Sequence, residues 1–344
     1  MRFALRHTGI LILLAVAFTG CSLVDEDMRD CETDYTLDYE LRLVTNMTTE
    51  LKTQLGLVTD VNVSSAIKTQ LNDVFTDHAH DVDLGFYDVY GDSTLLHRES
   101  HVMDANQSSY TLYIPVRKYM HVATANLEEN PTLSIEGAQN AHTLRVVQQV
   151  RDTVTSHKTG FFSARLLMDI QEGVDQTFDV KLYMANCATS VVIDTTGSGI
   201  TDVKVFMTGF ATSFDLCDSL YHFDYTPVVK PDKLEFDDPG RVGFMAVTFP
   251  SRPMPETKLI IDVDDPFAKE NATNSLWQVY IYCTLADGSV TQTVLGIHNP
   301  LFASQFRLLR ARAYNNGSVT PDDPTIGVSV TLDWDPGLEI PVVL

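Results

Sequence analysis

A short cluster of histidines and aspartates, His78 and His80 within residues 77–83, has the clearest chemical potential in this sequence. On a strand the two histidines would point to one side, where imidazole nitrogens and nearby carboxylates can hold a metal ion. The same residues suit a polar loop after a helix, with the histidines near the negative end of its dipole. We favour the loop and predict no metal and no cofactor, which leaves a metal-dependent hydrolase as an alternative.

The motifs of common catalytic sites are absent from the sequence. It has no G-x-S-x-G elbow, no H-E-x-x-H zinc pair, no phosphate-binding glycine loop and no C-x-x-C pair. A second acidic group at 262–265 lacks the glycine and the terminal glutamate of a calcium loop, and Pro266 suits a turn. The sequence therefore predicts a protein that is not an enzyme, without catalytic residues.

Four cysteines follow Cys21, namely Cys31, Cys187, Cys217 and Cys283. An even number in an oxidising compartment permits two disulfides, with three connectivities. Cys187 and Cys283 each lie in an apolar, strand-like run, so buried free thiols are at least as good an interpretation. The disulfide state is left open.

The first twenty residues have the pattern of a secretory signal peptide. Arg2 and Arg6 precede an apolar run over residues 10–18, which small residues connect to Cys21. The run is shorter than the roughly 20 apolar residues of a spanning helix. Residues 18–21, Phe-Thr-Gly-Cys, resemble the lipobox of bacterial lipoproteins, whose cysteine is acylated and becomes the new N-terminus. We predict lipidation at Cys21, followed by an acidic tether.

The composition is strongly acidic. The 344 residues include 46 Asp and Glu against 24 Lys and Arg, a net charge of −22 that becomes −24 without the two arginines of the signal peptide. Such a surface repels phosphate backbones, so we predict no nucleic-acid partner. The mature chain is long enough for two domains of ordinary size.

Alternation of apolar and polar residues dominates the chain and predicts β-strands with one buried face. In the first of these strands, Leu37, Tyr39, Leu41 and Leu43 alternate with polar or charged residues. Further strand patterns cover residues 84–86, 110–114, 120–122, 161–170, 178–184, 203–207, 242–249, 258–263, 277–285, 306–314 and 326–334. Strands at this density, with few helices between them, are typical of β-sandwiches.

One region changes its period, because apolar residues between Met47 and Phe75 recur at intervals of four, as they do on a helix. They are Leu51, Leu55, Ile67, Leu71 and Phe75. We predict one or two short helices that cross the first sandwich, with Thr48 or Thr49 and Ser64 or Ser65 as N-caps.

A polar, glycine-containing segment at 171–175 separates two strand patterns near the middle of the mature chain. We place a domain boundary there. The predicted organisation is a signal peptide at 1–20, a lipidated tether at 21–34, an N-terminal β-sandwich at 35–174 and a C-terminal β-sandwich at 175–344.

Aromatic residues in the strand patterns offer another kind of site, because glycan-binding sandwiches stack sugars on exposed rings. Most of these rings should lie in the core or pair across strands. They are Tyr87, Tyr90, Tyr113, Trp277, Tyr280, Tyr282 and Trp334. A surface lipoprotein that binds glycans is the alternative function, and it requires a row of exposed rings on one sandwich face.

Several stretches resemble the FimB/Mfa2-type fimbrial subunits. They are the start Cys21-Ser-Leu-Val-Asp-Glu-Asp-Met-Arg-Asp-Cys31, the strand at 38–44, the stretch His-Asp-Val-Asp-Leu-Gly-Phe-Tyr at 80–87, the strand Tyr-Thr-Leu-Tyr-Ile-Pro at 110–115, and the closing run at 328–334. The similarity extends over the whole mature chain.

This resemblance implies two tandem transthyretin-like Greek-key β-sandwiches on an outer-membrane lipoprotein at the cell surface, which anchors a fimbrium and limits its length. It implies fimbrial subunits as partners, joined by strand exchange or by pairing of sheet edges. The segments best suited to be donated are 326–334 and the tail 340–344, although both can complete their own domain instead. Polymerising members lose an N-terminal strand to a protease, with Arg29 and Arg42 as candidate sites here, whereas an anchor keeps its lipidated end.

Overall fold

The computed structural model describes residues 34–44, 52–55, 61–74, 79–102, 109–149, 153–174, 176–253 and 275–334. Over these residues the chain is mainly β, as the alternating pattern predicts. The strand predicted at 258–263 lies outside them. Within the same ranges, no helix has the length and hydropathy needed to cross a membrane.

Every strand pattern predicted within the described residues corresponds to a strand. The strands of the first half are β1 (Asp34–Val44), β2 (Asp81–Asp88), β3 (Leu95–Val102), β4 (Ser109–Pro115), β5 (Lys118–Ala125), β6 (Leu133–Glu136), β7 (Arg145–Gln148), β8 (Thr153–Thr155), β9 (Phe162–Asp169) and β10 (Gln176–Met184). Those of the second half are β11 (Cys187–Asp194), β12 (Ile200–Thr208), β13 (Ser213–Asp215), β14 (Leu220–His222), β15 (Val228–Lys230), β16 (Asp232–Leu234), β17 (Arg241–Thr248), β18 (Trp277–Leu285), β19 (Val290–Ile297), β20 (Phe306–Ala313), β21 (Val319–Pro321) and β22 (Gly327–Trp334).

These strands form four sheets. Sheet 1 has the order β3-β2-β5-β9-β10-β1-β4, and sheet 2 the order β16-β17-β11-β20-β21. Sheet 3 has the order β22-β19-β18-β12-β15-β8, and sheet 4 the order β14-β13-β7-β6. Side chains of sheets 2 and 3, including Val191, Val205 and Ile281, share one core cluster. The two sheets therefore pack face to face as a β-sandwich.

Sheet 1 bends over on itself. β4 and β5 lie four strand spacings apart, about 19 Å in a flat sheet, yet the two residues 116–117 connect them over at most about 11 Å. The bend falls between β9 and β10, which share only two residue pairs. Side chains from both parts of the sheet, such as Leu182 and Phe86, meet in one core cluster. The first half thus forms a sandwich from a single sheet.

Helix α1 (Val61–Val74) and a helical stretch at 52–55 lie between β1 and β2 in the chain, as the four-residue spacing predicts. Val63, Ile67 and Leu71 are buried in the cluster that also contains the core of sheet 1 and side chains from sheet 2. The apolar stripe of α1 therefore packs where the two halves of the chain meet.

The prediction that Ser64 or Ser65 caps the helix is wrong. The helix begins at Val61, and this places Val63 one turn before Ile67 on the buried face. Both serines consequently lie inside the helix. The other predicted caps, at 48–49, fall outside the described residues.

Sheet 4 covers part of the second face of sheet 1. Tyr87 and Val122 of sheet 1 enter a core cluster with Val146 and Phe214 of sheet 4. Burial of each such side chain contributes roughly 1.5–3 kcal/mol. On the corresponding face of β10, β1 and β4, Lys181, Arg42 and Tyr113 are exposed instead.

Three fully buried asparagines hold the segment 157–161, which crosses between the halves. Each amide group satisfies backbone groups of this segment, which otherwise would be buried without partners. The bonds run from Lys158 N to Asn130 Oδ1 (2.8 Å), from Asn126 Nδ2 to Gly160 O (3.0 Å) and from Phe161 N to Asn186 Oδ1 (3.3 Å).

The domain boundary at 174–175 stays a prediction, as does the transthyretin-like Greek-key topology. Backbone pairing crosses this boundary in both directions. β10, which follows it, pairs with β1 and β9 in sheet 1. β8 and β7, which precede it, pair with β15 in sheet 3 and β13 in sheet 4. The halves are therefore joined by shared sheets as well as by the chain.

Each half has an end that points away from the junction at 185–186. In sheet 1 this end holds the start of β1 and the connections at 89–94, 116–117 and 170–174, because Asp34 lies opposite Pro115 and Lys118 opposite Asp169. We call it the tether end. In sheets 2 and 3 it holds the end of β22 and the connections at 195–199, 235–240, 286–289 and 314–318. We call it the distal end.

Candidate functional site

The first strand, β1, lies inside sheet 1 with a partner on each side. It pairs in parallel with β10 over eight residues and antiparallel with β4 over seven. Leu43 packs against the core, whereas Glu40 and Arg42 are exposed, as the alternating pattern predicts. The chain that leads back to Cys21 therefore starts from a strand that two neighbours hold.

The two candidate cleavage sites differ in their setting. Arg42 lies within β1, opposite Lys181 of β10. A protease needs an extended, unpaired segment, so it could cut there only after β1 leaves the sheet. Arg29 lies outside the described residues, and cleavage at either arginine stays a prediction.

The last strand, β22, lies at the edge of sheet 3. It forms six residue pairs with β19, with an irregularity between Val290 and Gln292, and no described strand pairs with its other side. The segment predicted as a strand donor thus completes its own sheet in this structure, which is the alternative that the sequence left open. The tail at 340–344 lies outside the described residues.

A second exposed edge, β3, carries charged groups on both faces. On one face, His97 Nε2 and His101 Nε2 contact the two carboxylate oxygens of Glu99 at 2.7 and 3.0 Å. On the other, Arg98 Nε bonds to Asp83 at 2.9 Å. Charges along an edge disfavour the addition of another strand. Because Asp333 is the single charged residue of β22, that strand is the more permissive edge.

The histidine and aspartate cluster near residue 80 serves local structure. The His80 backbone N–H donates to Asn126 Oδ1 (2.7 Å), and Asp81 Oδ1 accepts the N–H of Leu127 (2.9 Å). Burial raises the pKa of Asp81, whose Oδ2 has no hydrogen-bond partner. Across the described ranges, no three His, Cys, Asp or Glu side chains are placed to hold a metal ion. His78 and the acidic group at 262–265 lie outside those ranges.

Cys187, Cys217 and Cys283 are buried free thiols. Burial raises their thiol pKa values to about 12, 11 and 12 respectively, so little reactive thiolate forms at neutral pH. Cys21 and Cys31 lie outside the described residues, and lipidation at Cys21 stays a prediction.

The aromatic residues divide into core and surface groups. Trp277 and Tyr87 are buried, and Tyr280 and Tyr282 are half-buried. Tyr90 is exposed in the connection at 89–94, and Tyr113 is exposed on β4. The side chain of Trp334 lies outside the described residues.

Tyr183 is an exposed aromatic residue that the sequence reasoning missed. The sequence could have indicated its exposure, because Tyr183 lies between Leu182 and Met184 and so falls on the solvent-exposed face of an alternating strand. Tyr183 lies opposite Val44 of β1 and Tyr113 opposite Thr36, so both occupy one face of sheet 1. Eight residues of β1 separate these positions, roughly 26 Å, so the two rings cannot bind the same sugar.

No protein-family model matches this chain, and no curated protein sequence matches it. Solved structures do. A candidate adhesin from Bacteroides ovatus has 10% sequence identity and a TM-score of 0.53, over 91% of this chain and 98% of its own. A candidate polysaccharide-binding protein from Bacteroides thetaiotaomicron has 10% identity and a TM-score of 0.49, over 88% and 99%. The fimbrial anchor protein Mfa2 from Porphyromonas gingivalis has 9% identity and a TM-score of 0.45, over 87% and 99%.

All three are described as adhesion, binding or anchor proteins, and none as an enzyme. At 10% identity, a match along nearly the whole chain shows a common fold. The chain therefore shares its fold with the Bacteroides ovatus candidate adhesin, and the fimbrial anchor protein Mfa2, whose family the sequence resembles, is among the structures to which it is similar.

Proposed function

We propose that this protein is a lipid-anchored subunit of a surface fimbrium, of the FimB/Mfa2 type, which anchors the fibre to the outer membrane and limits its length. The observation that carries the proposal is the position of β1. This strand is paired on both sides and begins at the tether end, with twelve residues between it and Cys21. The predicted lipid anchor is thereby connected to the interior of a sheet.

This arrangement suits a subunit that bears load. A fibre pulled away from the membrane draws on β1 along its own axis, so the bonds to β10 and to β4 resist the force together. A terminal strand at an edge would resist with one set of bonds. A chain that keeps β1 is therefore better suited to be an anchor than a detachable subunit.

The same feature supports control of length. An incoming strand can enter sheet 1 between β10 and β4 only if β1 leaves, and an anchor that keeps its lipidated end keeps β1 too. A fimbrial subunit would join elsewhere, and we place that contact at the open edge of β22, by edge pairing or by donation of the C-terminal segment. A subunit that can contact just one neighbouring subunit terminates the fibre.

Fimbriae on the bacterium that makes this protein provide the test. We expect deletion of the gene to give longer fibres that are shed into the medium, measured by electron microscopy and by the fraction of pilin released. A Cys21→Ser chain should release fibres in the same way, and a Cys31→Ser chain should not. Attached fibres of unchanged length after deletion would contradict the proposal.

A glycan-binding lipoprotein is the second candidate. The observation in its favour is the pair Tyr113 and Tyr183 on the exposed face of sheet 1. Affinity electrophoresis in polysaccharide gels tests it, since retarded migration should be lost in Tyr113→Ala and kept in Tyr314→Ala. Unretarded migration in every polysaccharide would eliminate this candidate.

A further inference from the structure

The tether end presents apolar side chains to solvent from three separate connections. They are Val89 (39% exposed), Tyr90 (69%), Val116 (42%) and Val174 (47%). The connections at the distal end are mostly polar, and Tyr314 is the large hydrophobic residue that they expose. Grouped apolar residues on a surface mark contact with a partner or a membrane, whereas scattered ones do not.

Hydrogen bonds and ion pairs hold these three connections against one another. The guanidinium of Arg117 pairs with Asp88 at 2.8 Å, and its backbone carbonyl accepts the N–H of Ile170 at 3.0 Å. Asp88 also accepts the N–H of Tyr90 at 2.9 Å, and the backbone bond to Tyr90 is the first cause of its lowered pKa. The four apolar side chains, which we call the apolar patch, therefore lie at one end of sheet 1, on connections that are bonded to one another.

The position of the chain start indicates what covers this patch. β1 begins at the tether end, and the twelve residues between Cys21 and Asp34 span at most about 45 Å. Acyl chains on Cys21 would keep this end within that distance of the lipid surface. No other end of a described sheet is tied so closely to the predicted anchor.

We infer that the patch formed by Val89, Tyr90, Val116 and Val174 rests on the lipid surface, as a second membrane contact beside the acyl chains. The inference rests on the proposed lipidation and adds an orientation to it. Valine side chains and a tyrosine ring suit the boundary between headgroups and acyl chains, where the phenol can stay hydrated. The second half of the chain would then face away from the membrane.

Charge at the tether end limits how deep the contact is. The cations Arg117 and Lys118 are already paired, with Asp88 and Asp169, and both ion pairs are partly exposed. Asp92 and Glu172 add negative charge in the same connections. The contact therefore depends on apolar side chains at the headgroup level, and it does not require anionic lipid.

The test couples Cys21 chemically to a maleimide lipid in the full mature chain with Cys31→Ser, so that its result does not depend on natural lipidation. The protein is placed on phosphatidylcholine vesicles with brominated acyl chains, which quench nearby tryptophan. Tyr90→Trp carries one reporter, and Tyr314→Trp at the distal end carries the matched control. The unsubstituted protein gives the background of Trp277 and Trp334.

We expect Tyr90→Trp to lose most of its added fluorescence and Tyr314→Trp to keep it. Adding Val116→Ser and Val174→Ser should restore the Tyr90→Trp signal, while Val328→Ser should not. Equal emission from both reporters on vesicle-bound protein would overturn the inference. Failure of the proposed anchor function is seen separately, in the Cys21→Ser cells.

Discussion

The two terminal strands of the described chain are held in different ways. β1 lies between two partners and has fifteen registered residue pairs, eight with β10 and seven with β4. β22 lies at an edge and has six pairs with β19. The strand nearest the predicted lipid is thus locked in place, and the strand nearest the C-terminus keeps one side open.

The tether end and the distal end also differ, in the residues that form their connections. Backbone N–H groups in the distal turns donate to the side chain two residues earlier, which fixes each turn. These bonds run from Thr196 to Asp194, from Gly240 to Asp238, from Ser289 to Asp287 and from Ser318 to Asn316. The tether end has such a bond too, from Tyr90 to Asp88, but its connections also expose Val89, Val116 and Val174. The tether end is therefore suited to contact a membrane, and the distal end is suited to contact water and partner strands.

Deleting each terminal strand should give the largest contrast. Removal of residues 22–44 exposes core residues such as Leu112 and Val180, and should cost more than about 5 kcal/mol, close to the whole stability of a domain. Ending the chain at residue 326 should cost about 1–3 kcal/mol. Urea unfolding at neutral pH measures both values.

A peptide of residues 34–44 is the control for the first deletion, and it should restore the unfolding transition when added in excess. Equal losses from the two deletions would remove the distinction between a locked and an open strand.

Glycine substitutions at the two ends should give a smaller difference in the free energy of unfolding. Gly317 lies in a distal turn with φ of +78°, and a Cβ there would overlap Oγ1 of Thr291. Gly173 lies at the tether end with φ of +70°, and its Cβ would meet no atom within 4 Å. We expect Gly317→Ala to cost about 2–3 kcal/mol and Gly173→Ala about 1 kcal/mol in urea unfolding. The reverse order would show that the turn at Gly317 is not packed tightly against Thr291.

Acid should weaken the fold through two buried histidines, one in β5 and one in the crossing segment 157–161. Burial lowers the pKa of His121 in β5 and of His157 in the crossing segment to about 4, against 6.5 for a free imidazole. Between these values the unfolded chain binds a proton that the folded chain does not, so stability is full above pH 6.5 and falls as pH drops toward 4. Each histidine should cost about 2 kcal/mol at pH 5.

Unfolding in urea at pH 7.5 and pH 5 measures this loss. The difference between the two pH values should shrink in His157→Gln and stay unchanged in His142→Gln, because His142 is exposed. A stability that is independent of pH over this interval would show that neither histidine is held neutral by burial. Lowered aspartate pKa values, such as that of Asp194, act only below about pH 4.

A lysine on the open edge should have the smallest effect on stability. Val328 of β22 is 44% exposed, so Val328→Lys should change the free energy of unfolding by less than about 0.5 kcal/mol. It should nevertheless weaken capture of a purified pilin, since edge charges oppose strand addition. Tyr113→Lys on the β4 edge is the control and should leave capture intact. Equal capture by both variants would exclude β22 as the contact.

The sequence predicted the strands whose two faces differ in environment. β10 and β18 alternate because one face lies in the core, while the residues of the other face are exposed in β10 and half-buried in β18. β11 is buried on both faces, so its sequence is an apolar run. This run indicated a strand through Cys187, but it did not indicate which face of the strand lies in the core. Short strands of three residues, such as β8 and β16, have too few residues to show any period.

Pairing across the chain could not be derived from the sequence. The parallel register of β1 with β10 joins residues about 140 positions apart, and nothing local to Leu37 or Gln176 specifies it. The candidate anchor site depends on the pairing of β1 with β10. In the sequence, the family resemblance was therefore the one indication of this site. The apolar patch was missed for another reason: Val89, Val116 and Val174 are single residues in separate connections, and only folding brings them together.

In the proposed anchor, β1 stays in its sheet while the fibre is attached. Thr36 of β1 and Tyr113 of β4 lie directly opposite one another, within disulfide reach for paired strands. Cells that carry Thr36→Cys with Tyr113→Cys should therefore show attached fimbriae of normal length under oxidising conditions, counted by electron microscopy. Fibres that are missing or shed from these cells, and that return when the disulfide is reduced, would contradict the account.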